Sequence, residues 1–170
     1  MRTSHVEVLP YTPKWKQDFE NIKEELAAAL GDLAMAIEHV GSTSVEGLAA
    51  KPIIDIDVVA AVEDMQAAIH ALASIGYIHE GDLGIAGREA FRYEGKEHLQ
   101  AHHLYLCPED SPELKRHLLF RDYLKEHPES AREYGEIKQE AAKRFPDDIE
   151  SYIEFKSPVI DRIYREIGLF

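Results

Sequence analysis

Between residues 13 and 30, apolar side chains recur at Trp15, Phe19, Ile22, Leu26 and Leu30, three and four positions apart, which predicts an amphipathic helix with Thr12 as its cap and Pro13 in its first turn. "AMAIEHV" predicts a short strand, and "STSVEGLAA" a turn of helix capped by Ser42 or Thr43, with Gly41 as the joint. "PIIDIDVVA" is β-branched and alternates, so that Ile54, Ile56 and Val58 share one face and Asp55 and Asp57 the other. A helix over 62–75 follows, then strands at "YIHEG", "AFRYEG" and "LQAHHLYLC", the first two joined by the glycine-rich loop "DLGIAGRE". From Ser111 onward the pattern is helical in three segments, "SPELKRHLLFRDYLKEH", "PESAREYGEIKQEAAKRF" and "DDIESYIEFKSPVIDRIYREIG", punctuated by Pro112, Pro128 and Pro146.

The order is therefore an α/β half, about 1–108, followed by a helical half, about 109–170. At 170 residues, without a repeat or a long linker, we expect one domain with one principal core. Hydrophobic residues make up 45% and charged residues 30%, with no run long enough to span a membrane. The N-terminal stretch lacks the features of a signal peptide and Cys107 has no internal partner, which fits a reducing cytoplasm. A net charge of -13 disfavours general nucleic-acid binding, so an anion bound by this chain must find its cations gathered locally; Lys51 and Arg88 are the first candidates. Oligomeric state is not legible.

Asp55 and Asp57, two residues apart on one strand, hold their carboxylates roughly 6 to 7 Å apart. Their repulsion at an effective dielectric near 20 is on the order of 2 to 3 kcal/mol. A shared divalent cation reverses that sign, and magnesium, with manganese as the substitute, suits a site of two carboxylates completed by water and phosphate. A water-exposed sheet face is the plainer explanation of "DID" taken alone, as an ordinary cap is of "GSTS". Together they point to an anion held beside a metal: Gly41 lets a phosphate approach the backbone, Ser42, Thr43 and Ser44 offer hydroxyls, and Lys51 precedes the strand. The glycine and lysine spacing excludes a Walker A loop.

Glycine-serine followed by Asp-x-Asp on a strand resembles the nucleotidyltransferase fold. More closely, "HVGSTSVEGLAAKPIIDIDV", "GREAF", "HHLYL", "FRDYLKEHP", Tyr134, Lys138 and "YIEFK" resemble the GrpB family, also called UPF0157, over almost the whole chain. The resemblance implies an α+β fold, a mixed β-sheet flanked by helices with a C-terminal helical half. It places Ser42, Asp55 and Asp57 at the transferase motif, Asp55 and Asp57 as magnesium ligands, and Arg88 as a loop arginine able to close over phosphate. Active members of the wider superfamily carry a third carboxylate on a neighbouring strand; "LQAHHLYLC" has none and offers His103, with Tyr105 where a second histidine is expected.

His103 is thus the third catalytic candidate beside Asp55 and Asp57. A zinc cluster of His98, His102 and His103 is disfavoured, because neighbours on a strand face opposite ways. Arg121, Lys138 and Lys156 lie on predicted helices and reach the site only if the helical half packs over the strand edge, while Tyr123, Tyr134, Tyr152 and Phe155 read as core. The leading expectation is a magnesium-dependent nucleotidyltransferase acting on a nucleoside triphosphate or another phosphorylated small molecule. The alternatives are an inactive nucleotide- or CoA-binding accessory module, as in GrpB-like segments fused to dephospho-CoA kinase, and a metal-dependent phosphohydrolase.

Overall fold

A computed structural model describes residues 5–169. Five helices and five strands follow the order α1 Lys14–Leu30, β1 Ala36–Val40, β2 Ile54–Ala60, α2 Met65–Ala73, β3 Tyr77–Gly81, β4 Glu89–Tyr93, β5 His102–Pro108, α3 Pro112–Glu126, α4 Pro128–Arg144 and α5 Ile149–Ile167. The strands form one mixed sheet in the order β1-β2-β5-β4-β3, in which only β2 and β5 run parallel.

Alternation along β2 divides the molecule in two. Ile54, Ile56 and Val58 are fully buried against the apolar face of α1 and against Leu72, Tyr77, Leu104 and Leu106. Burying side chains of this size stabilises the fold by roughly 1.5 to 3 kcal/mol each. The opposite face carries Asp55 and Asp57, and the register sets Asp55 beside His103 and Asp57 beside Tyr105 on β5, with Val40 and Glu38 as their neighbours on β1.

The helical half packs over that polar face and its rim. Val45 and Leu48, from the loop after β1, join Leu124, Ala131, Tyr134 and Ile163 in a second core, and Val6 joins Ala141 and Tyr152 in a third. Gly135 lets α4 come close to this loop, since a Cβ there would lie 3.3 Å from Leu48 Cδ1. Proline opens both α3 and α4, where its missing N–H would be unpaired anyway, and Ser111 caps α3 by accepting from the Leu114 amide.

Two expected elements differ. The helix expected over 62–75 begins as a single 3-10 turn at Val62–Asp64 and becomes α-helical at Met65. "STSVEGLAA" is not a helix: Ser42–Ser44 is one 3-10 turn without a side-chain cap, and Ser44 instead donates its hydroxyl to the Gly41 carbonyl at 2.5 Å. Ser, Thr and Gly in this stretch favour local side-chain-to-backbone bonding over helix propagation. So short a turn supplies no helix dipole, and the case for an anion here must rest on other groups.

No described helix is long and apolar enough to cross a membrane.

Candidate functional site

Gly41, at φ +73°, turns the chain from β1 directly against β2; a Cβ built on it would overlap the Asp55 carboxylate and lie 3.0 Å from the Asp55 Cβ. Glycine is therefore demanded twice, by backbone conformation and by the close approach of an acid. The turn, Asp55 and the incoming helices enclose a cavity of about 300 Å³, which Gly41, Ser42, Thr43, Lys51, Asp55, His103 and Lys138 all help to line, together with Tyr134, Tyr152 and Lys156.

Seven of the eleven candidate positions meet in this one cavity, and four lie around it. Asp57 sits beyond Asp55 on the same face of β2 and is wholly buried. Ser44 and Arg121 line a separate, larger cleft. Arg88 stacks over the Tyr105 ring at 4.3 Å, with its Nε buried and without a hydrogen-bond partner, and its loop is tied to the start of α3 by the Ser111 hydroxyl, which donates to the Gly87 carbonyl.

Each aspartate has its own imidazole. His103 Nδ1 lies 2.9 Å from Asp55 Oδ1 and His117 Nδ1 lies 2.6 Å from Asp57 Oδ2. A carboxylate only accepts, so both Nδ1 atoms carry the hydrogen, and neutral His103 has Nε2 as its acceptor. Burial pulls the pKa of His117 down, but the hydrogen bond and charge of Asp57, with Glu113 nearby, carry it above the usual histidine value. The two carboxyl groups differ in access: Asp55 is about one-third exposed and Asp57 not at all, and Asp57 Oδ1 has no hydrogen-bond partner. An orphaned buried carboxylate oxygen beside a partly open one suits a hard cation.

Three ammonium groups face this acid. Lys138, only 2% exposed, reaches back over the Tyr134 ring at 4.5 Å, while Lys156 and Lys51 lie 4.7 and 4.8 Å from the Tyr152 ring. Tyr134 and Lys138 on α4, and Tyr152 and Lys156 on α5, are each four residues apart, so each ring and amine project together from one helix face. Burial, together with the neighbouring lysines, holds Lys138 well below the ordinary lysine value and Lys156 at about 8, only partly offset by Asp55. Burial also raises Tyr152 to about 12, and Tyr134, within reach of the Ser42 hydroxyl, above the normal phenol range.

His98, His102 and His103 diverge: His98 bonds Glu25 at 2.7 Å, His102 bonds the Tyr77 phenol at 2.8 Å on the opposite face, and His103 bonds Asp55. Tyr123 stacks on His127 at 3.9 Å, and Phe155 packs with Phe145, so these two aromatics stay in packing roles, whereas Tyr134 and Tyr152 do double duty as core and cavity wall. Sequence reasoning missed His117, which has no local signal because its partner is 60 positions away. It also left Lys156 outside the chosen site; the repeated Tyr-x-x-x-Lys spacing on successive helices was the signal for it.

A mixed sheet with a glycine-serine turn ahead of Asp-x-Asp, backed by a helical half, defines a protein of the nucleotidyltransferase fold. The MgGTP-bound Cid1 poly(U) polymerase shares it at a TM-score of 0.55 and 12% identity, over 81% of this chain and 45% of that one. The chain belongs to the GrpB protein family, whose model matches residues 5–166. It is 40% identical to the UPF0157 protein YqkA of Bacillus subtilis over 152 residues, 89% of this chain but 44% of YqkA. The crystal structure of GrpB from Enterococcus faecalis superposes at a TM-score of 0.81, with 36% identity and coverage of 95% and 96% of the two chains.

Two stability effects follow. Gly41→Ala is expected to destabilise the protein by about 1 to 3 kcal/mol in urea unfolding, through strain at positive φ and displacement of Asp55. Lys138→Met is expected to raise stability at pH 7, because it replaces a buried amine, which burial and the neighbouring lysines disfavour in its charged form, with an apolar side chain of similar length. Against wild type the gain shrinks as the pH rises towards the ordinary lysine value, because the folded-state value of Lys138 is depressed, the unfolded wild-type chain binds more protons over that range, and wild-type stability rises with pH there.

Proposed function

We propose that this protein is a nucleotidyltransferase that moves a nucleoside monophosphate from a nucleoside triphosphate to a small acceptor. The observation that carries the reading is the convergence of Lys51, Lys138 and Lys156 with the Gly41–Ser42 turn and Asp55 in one cavity, an array of amines and a hydroxyl that suits a bound polyanion. The three ammonium groups and the Ser42 hydroxyl take phosphate oxygens, and Gly41 keeps the floor low enough for them to approach.

Asp55 and Asp57 would hold the divalent ion, magnesium or manganese, and the orphaned Asp57 Oδ1 supports that assignment. When bound, such an ion offsets charge building up on the reacting phosphoryl group. His103 shares a face with both aspartates, and its hydrogen bond to Asp55 fixes the tautomer that can take a proton at Nε2. The acceptor hydroxyl oxygen forms a bond to the α-phosphorus and gives its proton to His103. The bond from that phosphorus to the bridging oxygen breaks, and its electron pair leaves on pyrophosphate, which Lys138 and Lys156 neutralise.

A second reading has its own support. Positions opposite Asp55 and Asp57 on β5 are His103 and Tyr105, neither a carboxylate, which favours a nucleotide- or CoA-binding module without turnover.

The test is incubation with α-labelled nucleoside triphosphates, a divalent ion and a panel of hydroxyl and phosphate acceptors. Label in an acceptor with release of pyrophosphate supports transfer, and inorganic phosphate as the product would indicate a phosphohydrolase instead. Binding without label transfer across the panel would leave the module. Asp55→Asn and Asp57→Asn are expected to lower transfer by about 100-fold or more. In thermal unfolding they should abolish the metal-dependent stabilisation by nucleotide, which in wild type is about 2.7 kcal/mol at a hundredfold excess over Kd.

Affinity for the triphosphate is expected to hold below pH 8 and to weaken above it, because Lys156 loses its proton near 8 and the neutral amine no longer attracts phosphate. Calorimetry in buffers of different ionisation enthalpy should then show proton uptake on binding, since the ligand returns the amines to their charged form.

A further inference from the structure

A second concavity, about 940 Å³ and larger than the lysine cavity, runs along the outer edge of β1 between α1 and the α3–α4 junction. It gathers Lys16 and Lys23 from α1, Arg121 and Lys125 from α3, and Arg132 from α4 against Glu20, Glu38 and Glu46. In a chain of net charge -13, a local excess of cations is against the average. Arg121 is held by Glu38 at 2.7 Å and by the His39 carbonyl at 3.1 Å, which pins α3 to the strand edge. Among the described residues Lys16, Lys23, Lys125 and Arg132 enter no ion pair.

The floor is built as a site. His39 stacks on Phe19 at 4.6 Å and shares a hydrogen bond with the Thr43 hydroxyl at 2.9 Å. Burial, aided by Lys125 and Arg121, brings its pKa to about 4, so at neutral pH it adds no charge and serves as a polar, stackable surface. Thr43 lines both this cleft and the lysine cavity, so one turn is all that divides them. Glu38, also in the cleft wall, sits opposite Asp57 in the β1–β2 register, on the aspartate face. A molecule in the cleft therefore lies one strand from the carboxylates.

We propose that this cleft binds the acceptor, and that the acceptor is a small phosphorylated molecule whose phosphate is held by Lys125 and Arg132 while its hydroxyl extends past Thr43 towards Asp55. The inference rests on the nucleotidyl-transfer reading. The chain's overall negative charge favours an acceptor with one or two phosphates over a long polyanion, whose remaining charges would be repelled beyond the cleft. The bonds made and broken are those of the transfer step above, with the acceptor hydroxyl as nucleophile and pyrophosphate as leaving group.

The test titrates ribose 5-phosphate, and separately a 5′-phosphorylated dinucleotide, into protein saturated with magnesium and α,β-methylene ATP, followed by calorimetry. Lys125 and Arg132 are exposed, so K125E/R132E should fold, and circular dichroism verifies it. The expected result is phosphate binding that weakens at least about tenfold in K125E/R132E, with analogue affinity within twofold of wild type. Tighter binding of ribose 5-phosphate than of the dinucleotide assigns a small acceptor; the reverse overturns that size class. Phosphate binding unchanged in K125E/R132E, or lost in K138M/K156M with the cleft intact, overturns the site. Absence of analogue binding with cleft binding preserved would instead sink the transferase reading, and the acceptor role with it.

Discussion

Three ammonium groups held around one accessible carboxylate is an arrangement that folding by itself opposes. Each buried lysine loses hydration, and the like charges raise one another's energy, which is why Lys138 and Lys156 surrender part of their affinity for protons. Tyr134 and Tyr152 soften this by offering the negative faces of their rings, but a cation over a ring regains only about 0.5 to 2 kcal/mol. The fold tolerates the remainder because α4 and α5 are anchored elsewhere, through Ala131, Ala141 and Ile163 in apolar clusters that do not involve the amines. Strain of this kind, in a cavity lined by a tight glycine turn, is what the proposed anion site would relieve on binding.

The parallel pairing of β2 with β5 decides what stands next to the acids. Had β5 slipped by one residue, His102 would face Asp55 and His103 would be driven into the core, where the Tyr77 hydroxyl now donates to His102 Nε2. The register is fixed from the apolar side, by Leu104 and Leu106 between Ile54, Ile56 and Val58 and the residues of β4. Packing on one face thus sets the chemistry on the other, and the Asp55–His103 pair is its result. The imidazoles also relieve the repulsion between the two acids that their spacing would otherwise impose, so the aspartates are partnered even without a cation.

Period and punctuation in the sequence were enough for the elements, because the proline-opened helices and the β-branched, alternating β2 carry local signals that tertiary contacts do not override. "STSVEGLAA" failed for a local reason as well: the Ser44 hydroxyl bonds the Gly41 carbonyl, the Thr43 hydroxyl the His39 ring, and the helix goes no further than one turn. The aspartate face, Gly41 and Lys51 were readable from one segment, and His103 from the family resemblance. His117, by contrast, meets Asp57 only through the docking of α3, and the role of the tyrosine and lysine pairs depends on which face of α4 and α5 turns inward. Arg121 shows the converse, since its helix does pack on the strand edge, yet one turn further along the cleft, where Glu38 takes its charge.

The Ser42–Ser44 turn is where these strands of argument meet. Its brevity deprives it of a helix dipole, so it cannot hold a phosphate unaided, but the same brevity makes it a thin partition: Ser42 faces the lysines, Ser44 the cleft, and Thr43 both. After the turn the chain carries Leu48 against Gly135, the close approach that seats α4, and Lys138 with it, beside the cavity. Gly41 enforces the arrangement from the other side, because any side chain at that position would press on Asp55. Sharing Thr43 as a wall sets the two cavities side by side, each with its own set of basic side chains, and joining one phosphoryl group to a second phosphorylated partner would demand such an arrangement.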